Sequence, residues 1–152
     1  MTMDELKAMP VRDAAAENAH LYLWTTNSFV VEAHELARAW GFEPKTMLTW
    51  VKMKDDGQPS MKTGYYFRGA TEHCLFCVRG SLRLQGEAMP TALLYRRLPH
   101  SVKPGRFMDM VEEQSPPPRL EIFARSGGPL FPKRDGWDTW GNELPNDVDF
   151  AT

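Results

Sequence analysis

The sequence has 152 residues, of which 42% are hydrophobic and 25% are charged, which predicts one soluble globular domain with a hydrophobic core. No apolar run approaches the roughly 20 residues that span a bilayer, and the segment 1–9 carries two acids and no apolar stretch, unlike a secretory signal peptide. The net charge of −2 gives no overall attraction to nucleic acid, and we expect a cytoplasmic protein with no membrane partner.

The first elements alternate between helix and strand. Thr2 and Glu5 have capping-box spacing, which predicts a short helix over Thr2–Met9. Leu21–Trp24 is a continuous apolar run and predicts a strand buried on both faces, as in a parallel sheet. Ser28–Trp40 follows as an amphipathic helix, whose predicted apolar face consists of Phe29, Ala33, Leu36, Ala37 and Trp40.

Two further strands are predicted over Thr46–Val51 and Glu72–Arg79, separated by a loop, 55–70, rich in Gly, Lys and Tyr. Both cysteines, Cys74 and Cys77, fall in the second of these strands. Positions three apart in a strand point to opposite faces. We therefore expect two buried structural thiols rather than a disulfide or a metal site.

The second half of the chain begins with a poorly patterned stretch, 81–100, which predicts a long loop. Pro104 opens a helix that runs to about Gln114, with Phe107, Met110 and Val111 on its apolar side. Leu120–Ala124 is another buried strand, and 126–152 is a glycine- and proline-rich tail.

This alternation predicts an α/β fold with a mostly parallel sheet. In such sheets, ligands bind beyond the carboxyl ends of the strands. The rule selects three segments that are polar, small or basic and suit a polar ligand with negative charge: Thr25–Asn27, Lys52–Lys54 and Arg125–Gly128.

Two charged residues stand out in the second half. Lys103 precedes a helix start, where a cation and unpaired backbone N–H groups favour a carboxylate or phosphate; the alternative is a solvent-facing lysine. Glu121 lies in an apolar strand and needs a partner. That partner is either Arg125, in a structural ion pair, or a ligand.

Three features suit nucleic acid or a polar ligand, each with a structural alternative. The stretch from Arg79 to Arg106 holds six cations and one acid, and it either follows phosphates or is a solvated loop. The loop Lys62–Arg68 mixes aromatic rings with cations, and it either stacks on an unpaired base or caps the core. Asn142 ends a turn with two tryptophans, which either presents the amide to a ligand or pins the tail.

Seven segments together resemble the MT-A70 family, whose members methylate the 6-amino group of adenine in RNA or DNA. They occur in the family's order and near its spacing, from about Thr2 to Leu144. The segments are Leu21–Asn27, Trp40–Phe42, Leu48–Lys52, Glu72–Leu75, Ser101–Pro104, Glu121–Arg125 and Gly136–Glu143.

The resemblance implies a Rossmann-like methyltransferase sheet with helices on both faces, in a single domain of 152 residues with a core of about 2–144 and a tail over 145–152. It implies S-adenosylmethionine as cofactor, nucleic acid as partner, and no metal. Lys103 would bind the methionine carboxylate, Glu121 and Arg125 would contact the cofactor, and Asn142 with Glu143 would reach its adenosine part. The residues expected to bind substrate are Thr26, Asn27, Lys52, Tyr65, Tyr66, Arg68, Glu72 and His73.

The family's catalytic motif, Asp-Pro-Pro-Trp, ends a central strand, and this sequence contains no Asp-Pro-Pro. No catalytic residue is therefore identified. We expect the family's first strand to be missing, which leaves a gap between the strands ending at Trp24 and Arg125. A longer gene product, a rearranged sheet, or a second copy or partner subunit would fill it. Three interpretations remain: an active enzyme, an inactive subunit that binds nucleic acid or supports an active partner, and a fragment without independent function.

Overall fold

The computed structural model describes residues 1–99, 102–125, 133–142 and 145–150. The chain divides into two compact units. We call Met1–Arg83 with Ala88–Arg97 the N-terminal unit, and Leu84–Glu87 with Leu98–Thr152 the C-terminal unit. The single domain expected from the sequence stays a prediction.

The N-terminal unit begins with the predicted capped helix. Oγ1 of Thr2 accepts a hydrogen bond from the backbone N of Glu5 at 3.2 Å, and the Glu5 carboxylate accepts one from the backbone N of Thr2 at 2.5 Å. The unit comprises α1 (Met3–Ala8), α2 (Val11–Ala14), β1 (Ala19–Thr25), a 3-10 turn (Asn27–Phe29), α3 (Val30–Ala39), β2 (Glu43–Met53), β3 (Thr71–Arg79) and β4 (Ala92–Arg96).

The sheet of this unit has the strand order β1-β3-β2-β4. Strand β3 is antiparallel to both β1 and β2, whereas β2 is parallel to β4. The expectation of a mostly parallel sheet is therefore wrong, although the α/β class is confirmed. A continuous apolar run indicates that both faces of a strand are covered, but it carries no information on strand direction. The longest buried run, 74–77, lies in the antiparallel β3.

Two details of the N-terminal unit differ from the sequence predictions. Strand β4 lies in the stretch 81–100, which was expected to be a loop. Leu93 is the one buried residue of this strand, and a single buried residue gives no recognisable pattern in the sequence. Phe29 is 59% exposed instead of facing the core. It ends the 3-10 turn before α3, so it falls outside the helical phase that buries Ala33, Leu36, Ala37 and Trp40.

The core of the N-terminal unit is built on the two central strands. Trp50 of β2 is fully buried, as are Cys74, Leu75 and Cys77 of β3. The indole N–H of Trp50 donates to the carbonyl of Tyr95 at 3.0 Å, which ties β2 to β4. Both thiols are buried, as predicted, and neither cysteine forms a disulfide; burial raises the pKa of Cys77 to about 12. Helix α3 contacts β1, β2 and β3.

The C-terminal unit contains α4 (Gly105–Gln114), β5 (Arg119–Ile122) and β6 (Trp137–Trp140), with β5 parallel to β6. The helix is confirmed. Its predicted apolar side is also confirmed, since Phe107, Met110 and Val111 are buried. Strand β6 was not predicted, because its four residues were assigned to the tail. Within it Trp137 and Thr139 are buried in alternation.

Candidate functional site

The three strands β1, β2 and β4 run in one direction, so their carboxyl ends meet the beginning of β3 at one edge of the sheet. This edge gathers five residues expected to bind substrate, which we call the strand-end cluster. The segments chosen from strand ends therefore come together even though β3 is reversed. The cluster consists of Thr26, Asn27, Lys52, Glu72 and His73.

An ion pair forms one half of the strand-end cluster. Nζ of Lys52 lies 2.6 Å from Oε2 of Glu72, and the two side chains are only 11% and 20% exposed. Nζ also lies 4.9 Å from the ring centroid of Trp50, within cation–π range. Glu72 pairs with Trp50 across the sheet, so the lysine is its diagonal neighbour on the same face. The arrangement holds a carboxylate in place at the strand end.

A hydrogen-bonded chain forms the other half. Nε2 of His73 donates to Oδ1 of Asn27, which also accepts from the hydroxyl of Thr71 at 3.5 Å. With the proton on Nε2, Nδ1 accepts from the hydroxyl of Thr49 at 2.9 Å. Oδ1 of the exposed Asn27 thus accepts two hydrogen bonds from side chains of β3.

The two halves share an edge but not a face. Side chains alternate along a strand, so Thr49 and His73 point to the face opposite Lys52 and Glu72. Thr26 is exposed, and its carbonyl accepts from the hydroxyl of Thr25 at 3.3 Å. Thr49 was not among the predicted site residues, because its pairing with His73 depends on strand register, which leaves no local signal.

The loop between β2 and β3 carries the other expected substrate residues. Tyr65, Tyr66 and Phe67 are 105%, 98% and 95% exposed, so these rings do not cap the core. Arg68 is exposed beside them. The loop begins and ends at the edge that holds the strand-end cluster, since it joins the end of β2 to the start of β3.

In the C-terminal unit, the parallel pairing of β5 and β6 brings the segments after both strands to one edge. The backbone N of Ala124 donates to the carbonyl of Trp140 at 2.9 Å. A Cβ on Gly141 would collide with the carbonyl oxygen of Ala124. Arg125 and Asn142 follow Ala124 and Gly141 directly, so the structure brings these two expected cofactor residues together.

The other expected cofactor residues have different outcomes. Glu121 is exposed rather than buried, and its choice between Arg125 and a ligand stays a prediction. Nearby protein atoms nonetheless raise the pKa of Glu121, because they displace water that would solvate its charge. Lys103 is half-buried just before α4. Glu143 and the segment 126–128 lie outside the described residues.

A network of ion pairs and one hydrogen bond joins Arg134, and Trp137 at the start of β6, to α4 in the same unit. Nε of Arg134 lies 2.9 Å from the Glu112 carboxylate, its Nη2 lies 2.5 Å from Asp109, and the indole N–H of Trp137 donates to Glu112 at 2.8 Å. The guanidinium of Arg134 and this indole lower the pKa of Glu112. The carboxylates are three residues apart on one helix face, a spacing that suits a shared cation.

Among the residues that the structure describes, no three His, Cys, Asp or Glu side chains are grouped to hold a metal ion. None of the helices in the same residues has the length and apolar character needed to cross a membrane.

The model of the MT-A70 family matches residues 1–143. The chain belongs to the MT-A70 family. The resemblance inferred from seven sequence segments is thereby confirmed. The mixed sheet and helices are consistent with a methyltransferase domain.

Several relatives of this MT-A70 chain are named as methyltransferases. The chain is 29% identical over 157 residues to the type II methyltransferase M.MunI of Mycoplasma sp, a match that covers 100% of this chain and 62% of the relative. It is 26% identical over 147 residues to the putative N(6)-adenosine-methyltransferase MT-A70-like of Medicago truncatula, a match that covers 95% of this chain and 23% of the relative. It is 29% identical over 149 residues to the N6-methyladenosine RNA methyltransferase MTA1 of Cryphonectria parasitica, a match that covers 93% of this chain and 42% of the relative. The chain thus spans less than two thirds of these relatives.

Proposed function

We propose that this MT-A70 chain provides the domain of an S-adenosylmethionine-dependent methyltransferase that acts on the exocyclic 6-amino group of adenine in DNA or RNA. The observation that carries the proposal is the family match over residues 1–143. The proposal includes a Rossmann-like arrangement with helices on both faces, and a cytoplasmic location.

The cofactor side of the proposal uses Lys103, Glu121, Arg125, Asn142 and Glu143. The chemistry of these groups fits S-adenosylmethionine, which presents a carboxylate to a lysine, ribose hydroxyls to a carboxylate, and an adenine edge to an amide. The close approach of Gly141 to Ala124 supports this assignment, since it draws Arg125 and Asn142 to one edge. When bound, the cofactor supplies an electrophilic methyl group.

The substrate side uses the strand-end cluster and the loop with Tyr65, Tyr66 and Arg68. The Asn27 amide donates to a ring nitrogen or a phosphate oxygen, and Glu72 accepts from an amine. Transfer of a methyl group to an amine relies mostly on positioning and on charge placement, which a fixed carboxylate provides. An adenine in a duplex would have to leave the base stack to reach such a site.

A second candidate is a catalytically inactive subunit that binds nucleic acid or supports an active partner. The observation that favours it is the absence of Asp-Pro-Pro-Trp from the sequence. In the described residues, β1 is an edge strand of its sheet and β5 pairs with β6 alone. A partner subunit that carries this motif would supply the catalytic acid.

Calorimetric titration of the full chain with S-adenosylmethionine tests the cofactor site. We expect Lys103→Ala to abolish binding. Lys45→Ala, which removes an exposed cation far from Lys103 in the sequence, should leave binding unchanged. No binding by a folded chain would overturn the cofactor site. Transfer of a labelled methyl group to an adenine-containing oligonucleotide then separates the candidates, because binding without transfer favours the inactive subunit.

A further inference from the structure

Three consecutive aromatic side chains project into solvent from the loop between β2 and β3. Tyr65, Tyr66 and Phe67 are each at least 95% exposed, and Met61 nearby is 59% exposed. Folded proteins rarely leave several adjacent large apolar side chains uncovered, and such a patch marks a binding surface. We call Tyr65–Phe67 the aromatic tip.

The base of this loop is closed by backbone hydrogen bonds. The N–H of Lys62 donates to the carbonyl of Gly69 at 2.8 Å, and the N–H of Lys52 donates to the carbonyl of Ala70 at 2.8 Å. Within the loop, a Cβ on Gly64 would collide with the carbonyl oxygen of Phe67, so the turn requires glycine there. The aromatic tip therefore extends from an anchored base.

The charge of the loop indicates what covers the aromatic tip. Between Gly57 and Thr71 the chain carries two cations, Lys62 and Arg68, and no acid. Cations attract phosphates, and aromatic rings stack on any base whose face is free. In a duplex the base faces are covered by neighbouring base pairs, whereas a single strand offers both its bases and its phosphates.

We propose that the aromatic tip is a stacking platform for unpaired bases, so that the nucleic acid is held as a single strand beside the strand-end cluster. This inference rests on the proposed function, because it assigns a substrate class to the same site. The bases that stack are those flanking the adenine, since the loop joins the strand ends that carry Lys52 and Glu72. Arg68 holds the adjoining phosphate.

The test measures binding alone, so it does not depend on methyl transfer. Fluorescence anisotropy with the full chain compares three short labelled oligonucleotides: a single strand with one central adenine, the same strand in a blunt duplex, and the same strand with abasic sites flanking the adenine. The abasic strand keeps every phosphate but has no neighbouring bases to stack. We expect the intact single strand to bind at least about tenfold more tightly than either of the others.

Two matched double variants isolate the rings. Tyr65→Ala with Tyr66→Ala should weaken binding of the single strand by at least about tenfold, whereas Tyr65→Phe with Tyr66→Phe keeps the rings and should bind normally. The alanine pair should leave binding of the abasic strand unchanged. Both residues are fully exposed, so neither pair should alter folding.

Several outcomes would overturn the inference. These are equal binding of duplex and single strand, normal binding by the alanine pair, and no oligonucleotide binding by a folded chain. Self-association that the alanine pair abolishes, with oligonucleotide binding unchanged, would assign the aromatic tip to a second copy of the chain. The parallel titration with S-adenosylmethionine tests the proposed function separately. A chain that binds the cofactor, but binds oligonucleotides equally well with and without the tyrosine rings, would contradict only the stacking platform.

Discussion

Lys52 and Glu72 form an ion pair with an N–O distance of 2.6 Å at the strand-end edge, and both side chains are largely withdrawn from water. The lysine is held on the ring of Trp50, so the carboxylate has a fixed position and orientation. A carboxylate placed in this way can accept a hydrogen bond from a substrate amine without rearranging. The same burial makes the pair costly to break, because either charge left alone would lack water.

Removal of one partner should therefore destabilise the chain more than removal of both. We expect Glu72→Gln to lower the free energy of unfolding by about 3 kcal/mol, and Lys52→Met in the same chain to restore much of it. Urea unfolding of the single and double variants measures the coupling. If the two single effects simply add in the double variant, the pair contributes nothing through charge.

Asn27 should affect the reaction more than the stability, because its side chain is exposed although Oδ1 accepts from His73 and Thr71. In the proposed function, the amide nitrogen of Asn27 donates to the substrate. We expect Asn27→Ala to lower kcat/KM for methyl transfer roughly tenfold, the loss of one hydrogen bond. Ser28→Ala, at the neighbouring exposed position, is the control. Equal effects of the two substitutions on kcat/KM would contradict a specific role for the amide.

Gly141 should be intolerant of a side chain. Alanine there would push against the carbonyl oxygen of Ala124, and we expect stability to fall by about 2 kcal/mol and the Kd for S-adenosylmethionine to rise. Gly105→Ala is the matched control, since nothing lies within 4 Å of its Cβ position at the start of α4. Thermal unfolding and calorimetry report the two effects; a Gly141→Ala chain with normal Tm would show that the backbone relaxes.

The network around Glu112 predicts acid sensitivity. Hydrogen bonds from Arg134 and Trp137 lower the pKa of this carboxyl in the folded chain below its ordinary value of 4.5. The folded state thus holds the proton less tightly than the unfolded state, so the stabilisation is complete above pH 4.5 and is lost as the pH falls through the folded pKa. Denaturant midpoints measured from pH 7 downward should fall less steeply for Glu112→Gln than for the unmodified chain.

The buried thiols predict chemical inertness. Since burial raises the pKa of Cys77 to about 12, almost no thiolate exists at pH 8. We expect neither cysteine to react with iodoacetamide in the native chain, and both to react in denaturant. Rapid labelling of the native chain, read by mass spectrometry, would place a thiol at the surface and contradict the buried β3.

The sequence alone predicted those parts of the structure that depend on neighbours in the chain. The capping box of α1 and the apolar side of α4 follow from local spacing and appear as expected, whereas β2 runs on to Met53, two residues beyond the predicted strand. The family resemblance likewise rests on short segments in order. Helix caps and side-chain periodicity act over a few residues, so a single sequence carries their whole signal.

The tertiary structure decided what depends on pairing between distant strands. The reversed direction of β3, the presence of β4 and β6, and the meeting of Lys52 with Glu72 and of Thr49 with His73 all follow from pairing between strands. Register is set by backbone N–H and C=O groups, which are the same in nearly every residue type, and by packing across the sheet. For that reason a sequence shows which residues lie at a strand end, while only the folded chain shows which of them meet.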